Sequence, residues 1–209
     1  LNELKAVFGL LEFALALKFL SQIDLAYNFN LLHRNIFLTL WIVISVIITI
    51  YIFGVIRFAK DSKVTKYSFS RIFFGLTFLA ISIYMLKGVA NKPLDLLSGI
   101  LPPLVVNSSE PLKANMHDLP NGLQGFRDLE FAKQEAKATK KKILLDFTGH
   151  ACANCRKMED LVWSKPEVLS ILKNDLVIAS LYVDDKTELP LDQQYTLNNE
   201  KRTTIGDKN

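Results

Sequence analysis

Both cysteines of the chain lie in "GHACANCRKME", residues 149–159, as Cys152 and Cys155. Two thiols framing two residues can exchange disulfides, contribute to a metal site or close an inert bridge. The backbone around them discriminates. "ILLDF", residues 143–147, is a short apolar run of strand length, and from Ala153 to Trp163 the apolar residues Met158, Leu161 and Val162 recur at helical spacing. Cys152 therefore stands at the start of a helix that follows a strand, beside unpaired backbone N–H groups and the positive end of the helix dipole. In such places a thiol pKa falls from about 8.5 to about 3.5–7.5. The resulting thiolate can attack a disulfide, and a second thiol one turn on can resolve the mixed disulfide. Cys152 reads as the nucleophile and Cys155 as the resolver.

The rival chemistries lack residues. A c-type haem needs His directly after the second cysteine, where Arg156 stands. Structural zinc usually takes four Cys or His ligands, and His150 with the two cysteines supplies three, with only the distant His117 or His33 to add. Iron–sulfur clusters typically take four cysteines. No metal or cofactor is expected. An inert structural disulfide stays open as the alternative, although so short a loop constrains the unfolded chain little.

Two carboxylates accompany the pair. Asp146 interrupts the apolar strand, where an unpaired charge is costly. Glu159 lies four residues after Cys155 and seven after Cys152, on the same helical face. Both can raise the thiol pKa values and move protons during exchange. The plainer readings are a polar strand end for Asp146 and a solvent-exposed helix position for Glu159. His150 reads as a loop residue rather than a proton carrier.

The elements that carry these residues divide the chain. Half of its residues are hydrophobic, and nearly all long apolar runs precede residue 90. Residues 36–56, "IFLTLWIVISVIITIYIFGVI", carry no charge and match the roughly 20 residues that cross a bilayer core. "IFFGLTFLAISIYML", 72–86, is bounded by Arg71 and Lys87, whose long stems reach the interface, and Gly75, Ala80 and Ser82 suit close helix packing. "AVFGLLEFALALKFL", 6–20, holds Glu12 at its middle. It reads either as a span with Glu12 facing a bundle interior or as a surface helix with Lys5, Glu12 and Lys18 near water. Three spans, at approximately 4–21, 36–56 and 71–88, are expected within residues 1–90.

Between the two clearer spans stand Arg57, Lys60, Lys63, Lys66 and Arg71 against a single acid, Asp61, which places this loop in the cytoplasm. Everything after Lys87 then lies outside it. Residues 91–122 contain Pro93, Pro102, Pro103, Pro111 and Pro120 and read as a stiff tether, with a short interfacial helix over 94–101. From residue 123 on, a helix (126–141), the strand 143–147, the helices from 153 to 172 and a second strand, "LVIASLYV" over 176–183, predict an α/β layer with parallel strands. Ser164 should cap the helix that Pro166 opens. No further strand is evident after Asp184. The net charge of +4 reads as topological, because no basic stretch is interleaved with stacking aromatics; nucleic acid is not an expected partner.

"ILLDFTGHACANC" resembles the thioredoxin superfamily, and the order of spans, tether and α/β domain resembles the DsbD-type thiol:disulfide interchange proteins. "FGLLEFALALKFLS", 8–21, is similar to a late membrane helix of that family, and "CANCRKME" with "DLVWSKPEV" to its C-terminal domain. The resemblance implies an inner-membrane electron relay. Cytoplasmic thioredoxin reduces a membrane-domain cysteine pair, which reduces the C-terminal pair, which serves periplasmic thiol-disulfide proteins in disulfide isomerisation and cytochrome c maturation. Cys152, Cys155, Asp146 and Glu159 match the family's redox pair and nearby acids. Ala151 replaces the tryptophan common before the first cysteine, no cysteine precedes Cys152, and Pro190 is too early to be the family's cis-proline. The chain, opening at Leu1, is expected to be a fragment whose thioredoxin-like domain, 123–209, stops short at its C-terminus. The alternative function is a membrane-tethered binding module with a structural disulfide. With only two strands foreseen, an unpaired sheet edge should make the isolated soluble part fold poorly.

Overall fold

The computed structural model describes residues 2–29, 31–58, 64, 66–104 and 115–209. Lys60, Asp61 and Lys63 of the basic loop, and Pro111 of the expected tether, lie outside these residues. The chain divides into two compact units, Leu1–Ser21 with Leu32–Leu94, and Gln22–Leu31 with Asp95–Asn209.

Three helices are long and apolar enough to cross a membrane: α1 (Asn2–Ala26), α2 (Arg34–Ile52) and α3 (Phe69–Val89). The 25 residues of α1 make a rod of about 37 Å, enough for a core of about 30 Å. In the first unit, α2 buries Phe37, Leu38, Ile44, Ser45, Ile48 and Thr49. The Ser45 hydroxyl donates to Phe78 O of α3 at 3.0 Å, and Trp41 Nε1 donates to Ala14 O of α1 at 3.1 Å. Arg71 donates to Ile52 O at 2.6 Å and pairs with the Glu3 carboxylate. Gly75 and Ser82 are buried on one stripe of α3, and a methyl group on Gly75 would overlap the Phe53 ring. Ala80 is exposed: at 100° per residue it stands well off the line joining 75 and 82. Glu12 is exposed as well, two residues and therefore some 200° from Ala14, which faces α2.

The second unit is built on a mixed four-stranded sheet in the order β1-β2-β4-β3. Strands β3 (Lys142–Thr148) and β4 (Leu176–Tyr182) pair in parallel from Lys142↔Leu176 to Thr148↔Tyr182. The unforeseen pair is the antiparallel hairpin of β1 (Met116–Leu119) and β2 (Leu123–Phe126), which occupies the end of the expected tether and the start of the expected helix. Pro120 opens its turn, and Asn121 and Gly122 complete it at φ 63° and 70°. These are left-handed values that Asn and Gly tolerate. The hairpin joins the sheet through one pair, Phe126↔Ala179.

Helix α4 (Leu129–Thr139) starts where the Asp128 carboxylate accepts the Glu130 N–H at 2.8 Å and ends at Lys140 in the left-handed conformation. Strand β4 alternates between two cores. Val177, Ala179 and Leu181 pack with Phe126, Ala132 and Ala136; Ile178 packs with Leu119, Leu123, Trp163 and Leu172. Cover on both faces explains why its sequence is an unbroken apolar run. Helix α6 (Pro166–Asn174) has Pro166 at its first position, but Lys165 is the N-cap, because the Ser164 hydroxyl donates backwards to Asp160 O at 2.6 Å. The polar stretch after Asp184 does contain strands: β5 (Tyr195–Leu197) and β6 (Glu200–Arg202) form a small antiparallel hairpin around Asn198 and Asn199 at φ 50° and 65°. Helix α7 (Ile205–Lys208) follows, opened by a capping box between Thr204 and Asp207.

Candidate functional site

Helix α5 (Ala153–Met158) begins one residue after the end of a tight turn. Cys152 N–H donates to Gly149 O at 3.2 Å, closing a four-residue turn, and Cys152 is itself the N-cap. Its Sγ accepts the Cys155 N–H at 3.2 Å, so a backbone dipole points at the sulfur expected to carry negative charge. Cys152 and Cys155 form a disulfide with their Cα atoms 5.3 Å apart. Both residues are partly exposed, as exchange with another protein requires. Past Met158 the helix widens into a π-type turn, Glu159–Trp163.

Asp146 stands opposite Ser180 in the β3–β4 register, and its Oδ2 accepts the Ser180 hydroxyl at 3.0 Å. Burial pushes its pKa up against the opposing pull of that hydroxyl and of Arg156. It is thus a half-buried, hydrogen-bonded acid rather than a solvated strand end. Glu159 is buried, not solvent-exposed, at 2% exposure. Desolvation raises its pKa to about 7, with Arg156 opposing and the charges of Asp146 and Asp160 adding to the rise. Its Oε2 is buried with no hydrogen-bond partner among the described residues.

The sequence reading missed Arg156. One of a run of charges on a short helix, it looks solvated, yet it is 5% exposed, with Nη2 on Glu159 Oε1 at 2.7 Å and on Thr148 Oγ1 at 3.1 Å. Only its spacing of three from Glu159 hinted at a pair. Also unforeseen is the loop after β4. Asp184 accepts the N–H groups of His150 and Ala151 at 2.8 and 2.9 Å. The fully buried Asp185 lies 3.7 Å from His150 Nε2 and 3.9 Å from Arg127. Desolvation opposes ionisation of Asp185, but the His150 and Thr187 contacts win and hold its pKa down at about 2. His150 lies in the turn between β3 and α5, a loop residue as expected, with its ring stacked on Tyr182 at 4.4 Å. Among the described residues no group of three or more His, Cys, Asp or Glu is arranged to hold a metal ion.

This constellation can exchange disulfides: a thiol on a helix N-cap, a resolving thiol one turn on, and two acids with raised pKa values to receive or return protons. No curated protein matches the chain. A family model described as thioredoxin-like matches residues 124–199, the stretch that holds Asp146, both cysteines, Arg156, Glu159 and the Asp184–Asp185 loop, and this α/β domain is thioredoxin-like.

Proposed function

We propose that the chain acts in a membrane-bound protein-disulfide reductase of the bacterial inner membrane, with its thioredoxin-like domain in the periplasm. Electrons would come from cytoplasmic thioredoxin through a cysteine pair of an upstream membrane domain, and pass from Cys152 and Cys155 to periplasmic thiol-disulfide proteins. Disulfide isomerisation and cytochrome c maturation are the processes served. The observation that carries the reading is the Cys152–Cys155 pair on the N-cap of α5, within a thioredoxin-like domain that also buries Glu159. Three helices able to span a membrane, on the N-terminal side of that domain, support the membrane setting.

The exchange is balanced as follows. The Cys152 thiolate attacks one sulfur of the substrate disulfide; an S–S bond forms to Cys152 while the substrate bond breaks, and the departing thiolate takes a proton. Cys155, deprotonated in turn, attacks Cys152 Sγ, closing the disulfide and releasing the second substrate thiol. Two electrons and two protons leave the domain per cycle, and the upstream dithiol restores both. Asp146 and Glu159 are the acids suited to carry those protons.

The test is alkylation by a membrane-impermeant maleimide on intact spheroplasts that express the parent protein, read as a gel shift. Thiols labelled in normal cells and protected in cells lacking cytoplasmic thioredoxin support an inside-to-outside relay. Protection in both strains means a fixed disulfide, and labelling only after lysis places the domain on the other side.

A further inference from the structure

Three backbone N–H groups of the turn that delivers Cys152 have partners. Gly149 O takes that of Cys152, and the two in the middle, His150 and Ala151, both go to a single carboxylate, Asp184, at 2.8 and 2.9 Å. That carboxylate comes from the loop just past β4, thirty-odd residues along the chain, and sits against Gly149, where a Cβ would come within 2.8 Å of Asp184 Oδ2. Glycine at 149 therefore leaves room for this clamp. The next residue, Asp185, faces the ring of His150, so the same loop grips residue 150 by backbone and side chain.

We propose that Asp184 is a positioning residue for the redox pair: it holds the turn that presents Cys152 and keeps a negative charge on the backbone next to that residue, making the thiol a weaker acid and the pair a stronger reductant. The inference rests on the exchange function above and deepens it. Ala151, whose N–H the carboxylate takes, is bonded directly to Cys152. A fixed negative charge so close disfavours the thiolate. Destabilising the thiolate destabilises the reduced state, which then gives up its electrons more readily. Cys155 N–H on Sγ acts in the opposite sense. Among the described residues, the charged and titratable side chains around this end of the sheet include Asp146 of β3, Tyr182 of β4, His117 of β1 against the Tyr182 ring, Arg156 and Glu159 of the redox helix with Asp160, and the His150–Asp185 pair with Arg127. Asp184 differs from all of them in bonding the backbone of the turn itself.

The test uses the whole chain in detergent micelles with Cys155→Ser, so that Cys152 is the one thiol, and follows its rate of reaction with iodoacetamide against pH. Asp184→Asn should move the inflection down by about half to one pH unit and speed the reaction below it about three- to tenfold. Asp184→Glu, which keeps the charge, should stay close to the parent. Gly149→Ala, which displaces the carboxylate without removing it, should shift the curve in the same direction by less, and it serves if Asp184→Asn does not fold. A profile for Asp184→Asn or Gly149→Ala that superposes on the parent, or moves upward, overturns the proposal, whatever happens to thermal stability. Thiol reactivity is read without any substrate, so failure of the electron-relay experiment would leave this outcome distinct.

Discussion

Arg156 Nη2 lies 2.7 Å from Glu159 Oε1, one helical turn apart, with the two side chains 5% and 3% exposed. A pair so enclosed is costly to assemble but costlier to break, because the survivor is left as an unpaired buried charge. Arg156→Met should destabilise the domain by about 3–5 kcal/mol above neutral pH. At pH 5 the loss should shrink, since Glu159 can then be protonated. Denaturant melts of the full chain at pH 8 and pH 5 check this; equal losses at both would show that the charge pair is not the cause.

Glu159 also makes stability depend on pH. Burial raises its folded pKa from 4.5 to about 7, so the folded state holds a proton that the unfolded state has released. Its contribution is complete below about 4.5 and disappears as pH rises through about 7. Relative to the parent, Glu159→Gln should gain stability as pH rises between those values. The same variant should remove an inflection near pH 7 from the rate of disulfide reduction, which a stopped-flow pH series would reveal.

His117 acts on the acid side. Burial, with Arg127 next in effect, lowers its pKa from 6.5 to about 4 against the opposing pull of the Gly125 backbone. The folded state therefore binds a proton less readily than the unfolded one. Its contribution is present above about 6.5 and is lost as pH falls through about 4. Relative to the parent, His117→Leu should gain melting temperature as pH falls through that interval, whatever the slope that Glu159 gives both. A constant difference between the two would show that His117 does not contribute.

The two cysteines should separate by what they trap. With Cys155→Ser, the mixed disulfide between Cys152 and a substrate cannot be resolved and should accumulate on non-reducing gels; with Cys152→Ser it should not. Both variants should lose turnover by orders of magnitude, since exchange needs both sulfurs. Accumulation with Cys152→Ser instead would reverse the assigned roles.

What was legible in the sequence followed the strength of local patterns. The charge-free run around Trp41 and the unbroken β4 run each admit few structures, and the strand-to-helix placement of Cys152 followed from the apolar run 143–147 and the helical spacing over 153–163. The β1–β2 hairpin escaped because each strand has four residues, with His117 and Asp118 breaking the apolar pattern of β1. Its Pro120 reads as tether composition, though Pro-Asn-Gly is equally a turn. Strand β5 is exposed at all three positions, so no alternation marks it, and only the Asn198-Asn199 pair hints at the turn. At the site, Asp146 stood out because a carboxylate in an apolar strand is unusual, and Glu159 because it shares a helical face with both cysteines. Arg156, Asp184 and Asp185 did not, because burial of a charge and bonds across long stretches of chain are settled by tertiary packing.

The sheet's uneven seams bear on how cooperatively the domain opens. Strands β3 and β4 share seven paired positions, whereas the β1–β2 hairpin is held to β4 through Phe126↔Ala179 alone. Side-chain packing of Leu119, Leu123 and Phe126 must supply most of what keeps the hairpin in place. It is therefore suited to open as a separate, less protected foldon while the strand, turn and helix that hold the cysteines stay closed. Chemistry and scaffold would then breathe on different clocks, the redox loop being bound to the slower one.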